Sequence, residues 1–187
     1  MTFLRIVGLY LRTIRHLKLG QFVSRAKRAI FKIKPLNIDC VKGAVVRSVV
    51  VKIAFPSKSE SILGNNTFIF LNRKIKLKFP DDWHESNLPL LWLYNLHYFD
   101  GLLNNDTPSQ LKLDLIKRWI QDNSKSTGVP WDPYPLSLRL CNWIKWIWSH
   151  DGSLPPLVVA SLFQQATHLN KTLEFHLLGN HLLENAK

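Results

Sequence analysis

The sequence has few cysteines, no long uninterrupted apolar run, and no acidic residue in its first 34 positions. Its two cysteines, Cys40 and Cys141, are too few and too far apart to predict a disulfide framework or a metal site. Without an apolar run of about 20 residues, the sequence predicts no membrane-spanning helix. Arginines interrupt the N-terminal apolar stretch and no small-residue cleavage site is visible, so the sequence does not predict a cleavable signal peptide.

The composition is that of a globular chain with an uneven distribution of charge. Of its 187 residues, 46% are hydrophobic and seven are tryptophan, which is enough to build a sizeable core. Nine positive charges of the net +12 fall within residues 1–34, which leaves +3 for the rest. A nucleic-acid-binding protein is the weakest hypothesis for this charge, since no nucleic-acid motif accompanies it.

Residues 1–40 are predicted to form a basic amphipathic arm, helical over residues 3–33 and broken near Gly20. Two interpretations of the arm stay open. It packs on its own domain with a solvated basic face, or residues 1–34 make peripheral contact with a membrane surface or another polyanion.

Residues 41–82 are predicted to form a small β element, and residues 83–187 to form antiparallel helices joined by short loops. The β element comprises a strand over residues 43–55 and a hairpin over residues 67–80, in which three lysines alternate with Ile75, Leu77 and Phe79. Thr107 is expected to cap one helix, and Pro135 to open the next. A last helix is expected to carry one apolar stripe, formed by Leu162, Ala166, Leu169, Leu173 and Leu177.

Four polar residues interrupt the leucine-rich C-terminal stretch LEFHLLGNHLLENAK. On a helix, His176, Asn180 and Glu184 would follow one another at intervals of four residues, and His181 would lie on the same side. Such a wall suits a carboxylate or hydroxyl ligand, although spacing alone favours a structural hydrogen-bond network. It does not have the geometry of a metal site, and the sequence predicts no cofactor.

Several motifs together resemble the N-terminal helical region of the heparinase II/III family of polysaccharide lyases. They are LLWLYNLHYFDGLL, GVPWDPYPLSLRLCNWIKW and LEFHLLGNHLLENAK, in this order and spacing. The segments RTIRHLKLGQFVSRAKRAI and TFIFLN are similar to bacterial members found with exopolysaccharide genes. The resemblance implies a mainly α fold, a partial (α/α) toroid, and β-elimination of a polysaccharide that contains uronic acid. It also implies a periplasmic or cell-envelope location.

The resemblance assigns roles to individual residues. It implies that Asn180 neutralises the substrate carboxylate, that His181 assists it, and that Glu184 supports His181. Tyr134 and Arg139 belong to the second motif, where they bind substrate or, equally well, pack and pair within the fold. His176 joins the substrate-binding set. Aromatic runs at helical spacing usually pack inward, so His97, Tyr98, Trp143 and Trp146 are expected in the core.

The family's general acid/base tyrosine lies downstream of the region that this chain resembles, as do its β-sheet domains. We therefore expect the 187 residues to be a fragment, inactive without the remaining C-terminal part of the enzyme. The alternative function is a non-catalytic module that binds an anionic glycan or associates with the cell envelope. In both hypotheses the partner is an acidic polysaccharide and not a nucleic acid.

Overall fold

A computed structural model describes residues 53–85, 87–149 and 155–173, and this part of the chain is mostly helical with one small antiparallel sheet. The strands are β1 (Thr67–Phe70) and β2 (Arg73–Lys76). The α-helices are α1 (Leu90–Tyr98), α2 (Ser109–Asp122), α3 (Pro133–Ser149) and α4 (Pro156–Thr172). Three 3₁₀ turns occur at Asp81–His84, Asp100–Leu103 and Val129–Trp131. The predicted arm and most of the predicted strand over residues 43–55 lie outside the described residues.

The hairpin forms as predicted, with its turn one residue earlier than expected. Thr67 pairs with Lys76 and Phe70 pairs with Arg73, so Leu71 and Asn72 make the turn. Both turn residues have positive φ angles, which is the backbone conformation that two-residue hairpin turns require. Leu77 is buried while the neighbouring lysines are exposed, which confirms the predicted alternation.

The start of α2 differs from the capping box expected at Thr107. The helix begins at Ser109 with Pro108 as its N-cap residue, and no side chain caps this end. The amide and hydroxyl of Thr107 instead donate to Asn104 Oδ1, at 2.9 and 3.0 Å. The side chain of Asn104, five residues before the helix, therefore accepts both donors of Thr107 and holds this residue in the loop ahead of the N-cap position.

Helix α3 is the central element, since it packs against α1, α4 and the turn at Asp100–Leu103. Leu136, Leu140 and Trp143 are buried as their spacing predicts, whereas Ile144 is exposed. At the centre of the core, the ring of Trp119 lies 5.7 Å from that of Trp131, tilted, and 5.6 Å from that of Trp143, edge to face. Packing of large rings thus fills the space between the helices.

Helix α4 departs most from the sequence-based expectation. It ends at Thr172, and Leu173 already has an extended backbone, so one continuous helix through Leu177 is wrong. Its fully buried residues are Val158, Ser161, Gln164 and Gln165, of which three are polar. The leucines at 162 and 169 are only partly buried. The face that contacts the core therefore combines buried polar residues with the partly buried Leu162 and Leu169 of the predicted stripe, because the interior offers polar partners to this helix.

Close packing at Gly101 yields a stability prediction. A Cβ atom at this position would lie 2.5 Å from Ser61 Oγ and 2.7 Å from Ile62 Cγ1. Gly101→Ala is therefore expected to lower the free energy of unfolding by about 1–3 kcal/mol through overpacking, as measured by urea denaturation.

Ser61→Ala provides the matched control for this variant. Ser61 Oγ is buried and has no hydrogen-bond partner among the described residues, so its removal should be neutral or stabilising. In the double variant the two changes should couple, with part of the Gly101→Ala loss recovered. A Gly101→Ala protein as stable as the wild type would contradict the close approach.

Candidate functional site

The structure describes two of the six residues that the sequence assigns to a site. Tyr134 and Arg139 both lie on α3, near its N-terminal end. Asn180, His181, Glu184 and His176 lie outside the described residues, so their roles stay predictions. The site is therefore built from the first half of α3 and the elements that contact it.

Three tyrosines form a half-buried cluster where α1 meets the start of α3. The ring of Tyr134 lies 6.4 Å from that of Tyr94, nearly parallel, and 5.9 Å from that of Tyr98, edge to face. The hydroxyl of Tyr94 donates to Asp132 Oδ2 at 2.9 Å. We call Tyr94, Tyr98 and Tyr134 the tyrosine cluster. Partly exposed rings with polar tips can stack on a sugar and hydrogen-bond its hydroxyls.

A polar contact holds the two helices of this cluster together. Asn142 Nδ2 donates to the carbonyl oxygen of Tyr98 at 2.8 Å and to Asp100 Oδ1 at 2.6 Å. Asn142 is buried, so these bonds exchange little with water. The end of α1 is thereby fixed on α3, which sets the relative positions of the three rings.

Arg139 lies on the same helix as Tyr134 and is completely buried. Its Nε donates to Gln165 Oε1 at 2.7 Å, and one terminal nitrogen donates to the carbonyl oxygen of Pro130 at 2.8 Å. The guanidinium lies 3.9 Å from the centroid of the Trp119 ring, an arrangement that favours a cation. The other terminal nitrogen has no hydrogen-bond partner among the described residues.

No carboxylate contacts this guanidinium in the part of the chain that the structure describes, and burial lowers the pKa of Arg139 well below its ordinary value. The cation is held instead by a side-chain amide, a main-chain carbonyl and an indole face. These contacts join α3 to α4 and to the turn that precedes α3. They make Arg139 a positioning residue, and its direct contact with a substrate stays a prediction.

His97 forms the second layer of the same buried network, as the core prediction expects. The indole nitrogen of Trp119 donates to its Nδ1 at 3.2 Å. Nδ1 must therefore be the unprotonated nitrogen, and Nε2 donates to the carbonyl oxygen of Trp83 at 3.0 Å. Burial, followed by the positive charge of Arg139, lowers the pKa of His97 well below its ordinary value. The ring is thus neutral and fixed in one tautomer.

The sequence did not identify the partners of Arg139. Gln165 is completely buried and also donates through Nε2 to Ser161 Oγ at 3.0 Å, while Gln164 donates to Ser126 Oγ at 3.1 Å. The signal in the sequence was a pair of glutamines after the mostly apolar first half of the helix, a pattern equally typical of a solvent-exposed face.

Comparisons with known proteins give no neighbour for this chain. No family model, no curated protein and no solved structure matches it. Within the described ranges no group of three or more histidine, cysteine, aspartate or glutamate side chains could hold a metal ion. The same ranges contain no helix that is both long enough and apolar enough to cross a membrane. The function therefore has to be argued from the residues themselves.

Proposed function

We propose that this chain is the N-terminal helical part of a polysaccharide lyase that cleaves uronic-acid-containing polysaccharide by β-elimination. Helices α1–α4 would be the first helices of an incomplete (α/α) toroid. The observation that carries the proposal is the tyrosine cluster. It contains Tyr134, a residue of the motif resembling these lyases, in a half-buried aromatic group at the junction of two helices.

The proposed chemistry divides the work between two groups of residues. The tyrosine cluster would hold the sugar rings. Removal of the proton at C5 of a uronate builds negative charge beside an existing carboxylate, so a donor that neutralises this carboxylate stabilises the transition state. Asn180 would supply that donor, His181 would assist it, and Glu184 would orient the His181 imidazole. Arg139 would act indirectly, by holding in place α3, the helix that carries Tyr134.

The alternative is a module that holds an anionic glycan without cutting it. The observation that favours it is the charge distribution, with nine basic and no acidic residues in positions 1–34. In this case the affinity would depend on general electrostatic attraction and would fall steeply as salt is added. In the lyase it would depend on the neutralisation of one carboxylate and on ring stacking.

Binding to uronic-acid oligosaccharides tests the proposal. We expect the full chain to bind an oligouronate, and Tyr134→Ala to weaken that binding about tenfold because a stacked ring is worth about 1–1.5 kcal/mol. Asn180→Ala is expected to weaken binding of the oligouronate but not of the same oligosaccharide with its carboxyl groups reduced to alcohols. Calorimetric titration measures each affinity, and absorbance of the unsaturated uronate product is followed in parallel.

Tyr10→Ala is the control variant of the same residue type, because Tyr10 lies in the basic segment and outside the motif. Equal losses for Tyr10→Ala and Tyr134→Ala would count against the tyrosine cluster. If charge neutralisation within residues 1–34 abolishes binding while Asn180→Ala does not change it, the binding module is the better description. Absence of binding to every oligouronate tested would exclude both functions.

A further inference from the structure

A cleft of about 430 Å³ opens at the end of α3 opposite the tyrosine cluster. Its wall includes Phe55, Thr107, Ser109, Lys112, Trp146 and Ser149. Tyr134 and Ser149 are fifteen residues apart on one helix, which corresponds to about 22 Å along its axis. The cleft is therefore separate from the tyrosine cluster.

Lys112 gives this cleft its charge. The residue is only 6% exposed, and its Nζ donates to the carbonyl oxygen of Asn104 at 2.6 Å. An ammonium has three N–H donors, so two remain after this bond. No aspartate or glutamate is among the described residues that line the cleft. A largely buried cation without a neighbouring carboxylate is costly unless an anion or water compensates it.

The start of α2 adds to the same positive potential. The helix has fourteen residues, begins at Ser109 and has no side-chain cap. Its first backbone N–H groups lack partners within the helix, and the helix dipole favours a negative charge beside them. Lys112 lies one turn further along the same helix. Two independent features, a buried ammonium without a carboxylate partner and an uncapped helix end, thus meet at one wall of the cleft.

The remaining wall suits a sugar ring more than a bare ion. Phe55 supplies aromatic surface, since Trp146 is itself buried, and the side chains of Asn105, Thr107 and Ser149 supply polar groups. Phe55 is held by stacking on Trp148, with ring centroids 6.5 Å apart. Apolar rings beside hydroxyl and amide groups are the usual complement of a carbohydrate.

We propose that this cleft is a binding site for an acidic monosaccharide unit, whose carboxylate pairs with Lys112 and the N-terminus of α2. The site goes beyond the proposed function, because none of the described residues that line it belongs to the tyrosine cluster. An acidic sugar bound here could be one unit of a longer chain or a free sugar acid. Oligouronate and monomeric glucuronate, tested separately, distinguish the two sources.

The test follows Lys112 directly in the full 187-residue chain. Lysine side chains are labelled with ¹³C, and the Lys112 signal is identified by its loss in Lys112→Met. We expect this signal to shift and saturate with glucuronate, but not with glucose at the same concentration. Ser109→Glu places a carboxylate beside the ammonium and is expected to raise the dissociation constant of glucuronate at least tenfold. A glutamate in the first turn also favours the helix, so this variant should stay folded.

Gln110→Glu is the matched control, since it adds the same charge to the same turn at a residue that does not line the cleft. It should leave the dissociation constant within about twofold. Tyr134→Ala should leave the Lys112 signal unaffected, so this proposal and the proposed function can fail separately. An equal shift with glucose, no shift with glucuronate, or equal behaviour of Ser109→Glu and Gln110→Glu would overturn the site. Inorganic sulfate binding as tightly as glucuronate would overturn its assignment to a sugar acid.

Discussion

Arg139→Ala is expected to lower the free energy of unfolding by about 3–5 kcal/mol, a large fraction of the total stability of an ordinary domain. The variant removes three hydrogen bonds, to Gln165 Oε1 and to the carbonyl oxygens of Pro130 and His97, and vacates the face of Trp119. Loss of a buried cation also removes its desolvation cost, which offsets part of this sum. The variant is still less stable than the wild type, because the oxygens that lose their donors stay buried inside the protein. Urea denaturation measures it.

Two further variants separate the sources of this effect. Arg139→Met keeps most of the volume and removes the charge, so about half of the loss should be recovered if packing on Trp119 matters. Arg118→Ala is the control of the same residue type: its side chain is exposed and lies 5.6 Å from the centroid of the Phe79 ring, so the loss should stay below about 1 kcal/mol. If Arg139→Ala and Arg118→Ala proved equally mild, the buried network would not hold the helices together.

Stability is expected to fall as the pH drops below about 6.5, the ordinary pKa of histidine. Burial, the charge of Arg139 and the charge of His84 lower the pKa of His97, against the raising effect of its bond to Trp83. Burial and the charges of Arg139 and Lys171 likewise lower the pKa of His168. The unfolded chain then binds protons that the folded chain does not. The contribution of these two neutral histidines to the free energy of unfolding is fully present above about pH 7.5. It decreases at lower pH, by at most about 1.4 kcal/mol per pH unit for each histidine.

Urea denaturation at several pH values measures this dependence, and His97→Gln identifies its main source. A glutamine amide can accept the Trp119 N–H and donate to the Trp83 carbonyl oxygen, yet it does not titrate. The pH dependence should therefore be flatter in His97→Gln than in the wild type, and flatter again when His168→Gln is added. Curves of equal slope for the wild type and His97→Gln would show that His97 is not the group that titrates.

Local structure was the part of the fold that the sequence could predict. Alternation of lysine with apolar residues identified the hairpin, and a helical repeat of leucine, isoleucine and tryptophan identified α2 and α3. Both patterns reflect which side of an element faces water. Residues that are close together in the sequence determine this side, so a short segment is enough to show it. The expected cap at Thr107 failed because Asn104, outside the motif, supplied a better partner. A local signal fails where a nearby side chain outside the motif holds the residue in another position.

The buried network could not be predicted from the sequence, because it depends on long-range geometry. Arg139 and Gln165 are 26 residues apart, and each alone is typical of an exposed helical face. Only their pairing makes the burial of both tolerable. The same pairing explains why the predicted stripe on α4 was incomplete: Gln165 is fully buried against Arg139 of α3, whereas Leu162 and Leu169 pack on the core only partly buried. For Tyr134, the motif identified the residue, but its contacts with Tyr94 and Tyr98 required the packing of α1.

The seven tryptophans all lie between residues 83 and 148, and all but Trp148 are buried. Intrinsic fluorescence consequently reports on one portion of the molecule: the helical core around α1, α2 and α3. Emission from enclosed indoles should be blue-shifted, with Trp148 as the indole that a dissolved quencher reaches most readily. A denaturation curve recorded by this emission is thus a measurement of the aromatic interior, and the hairpin contributes to it through Trp92, whose Nε1 donates to the Arg73 carbonyl oxygen at 3.2 Å.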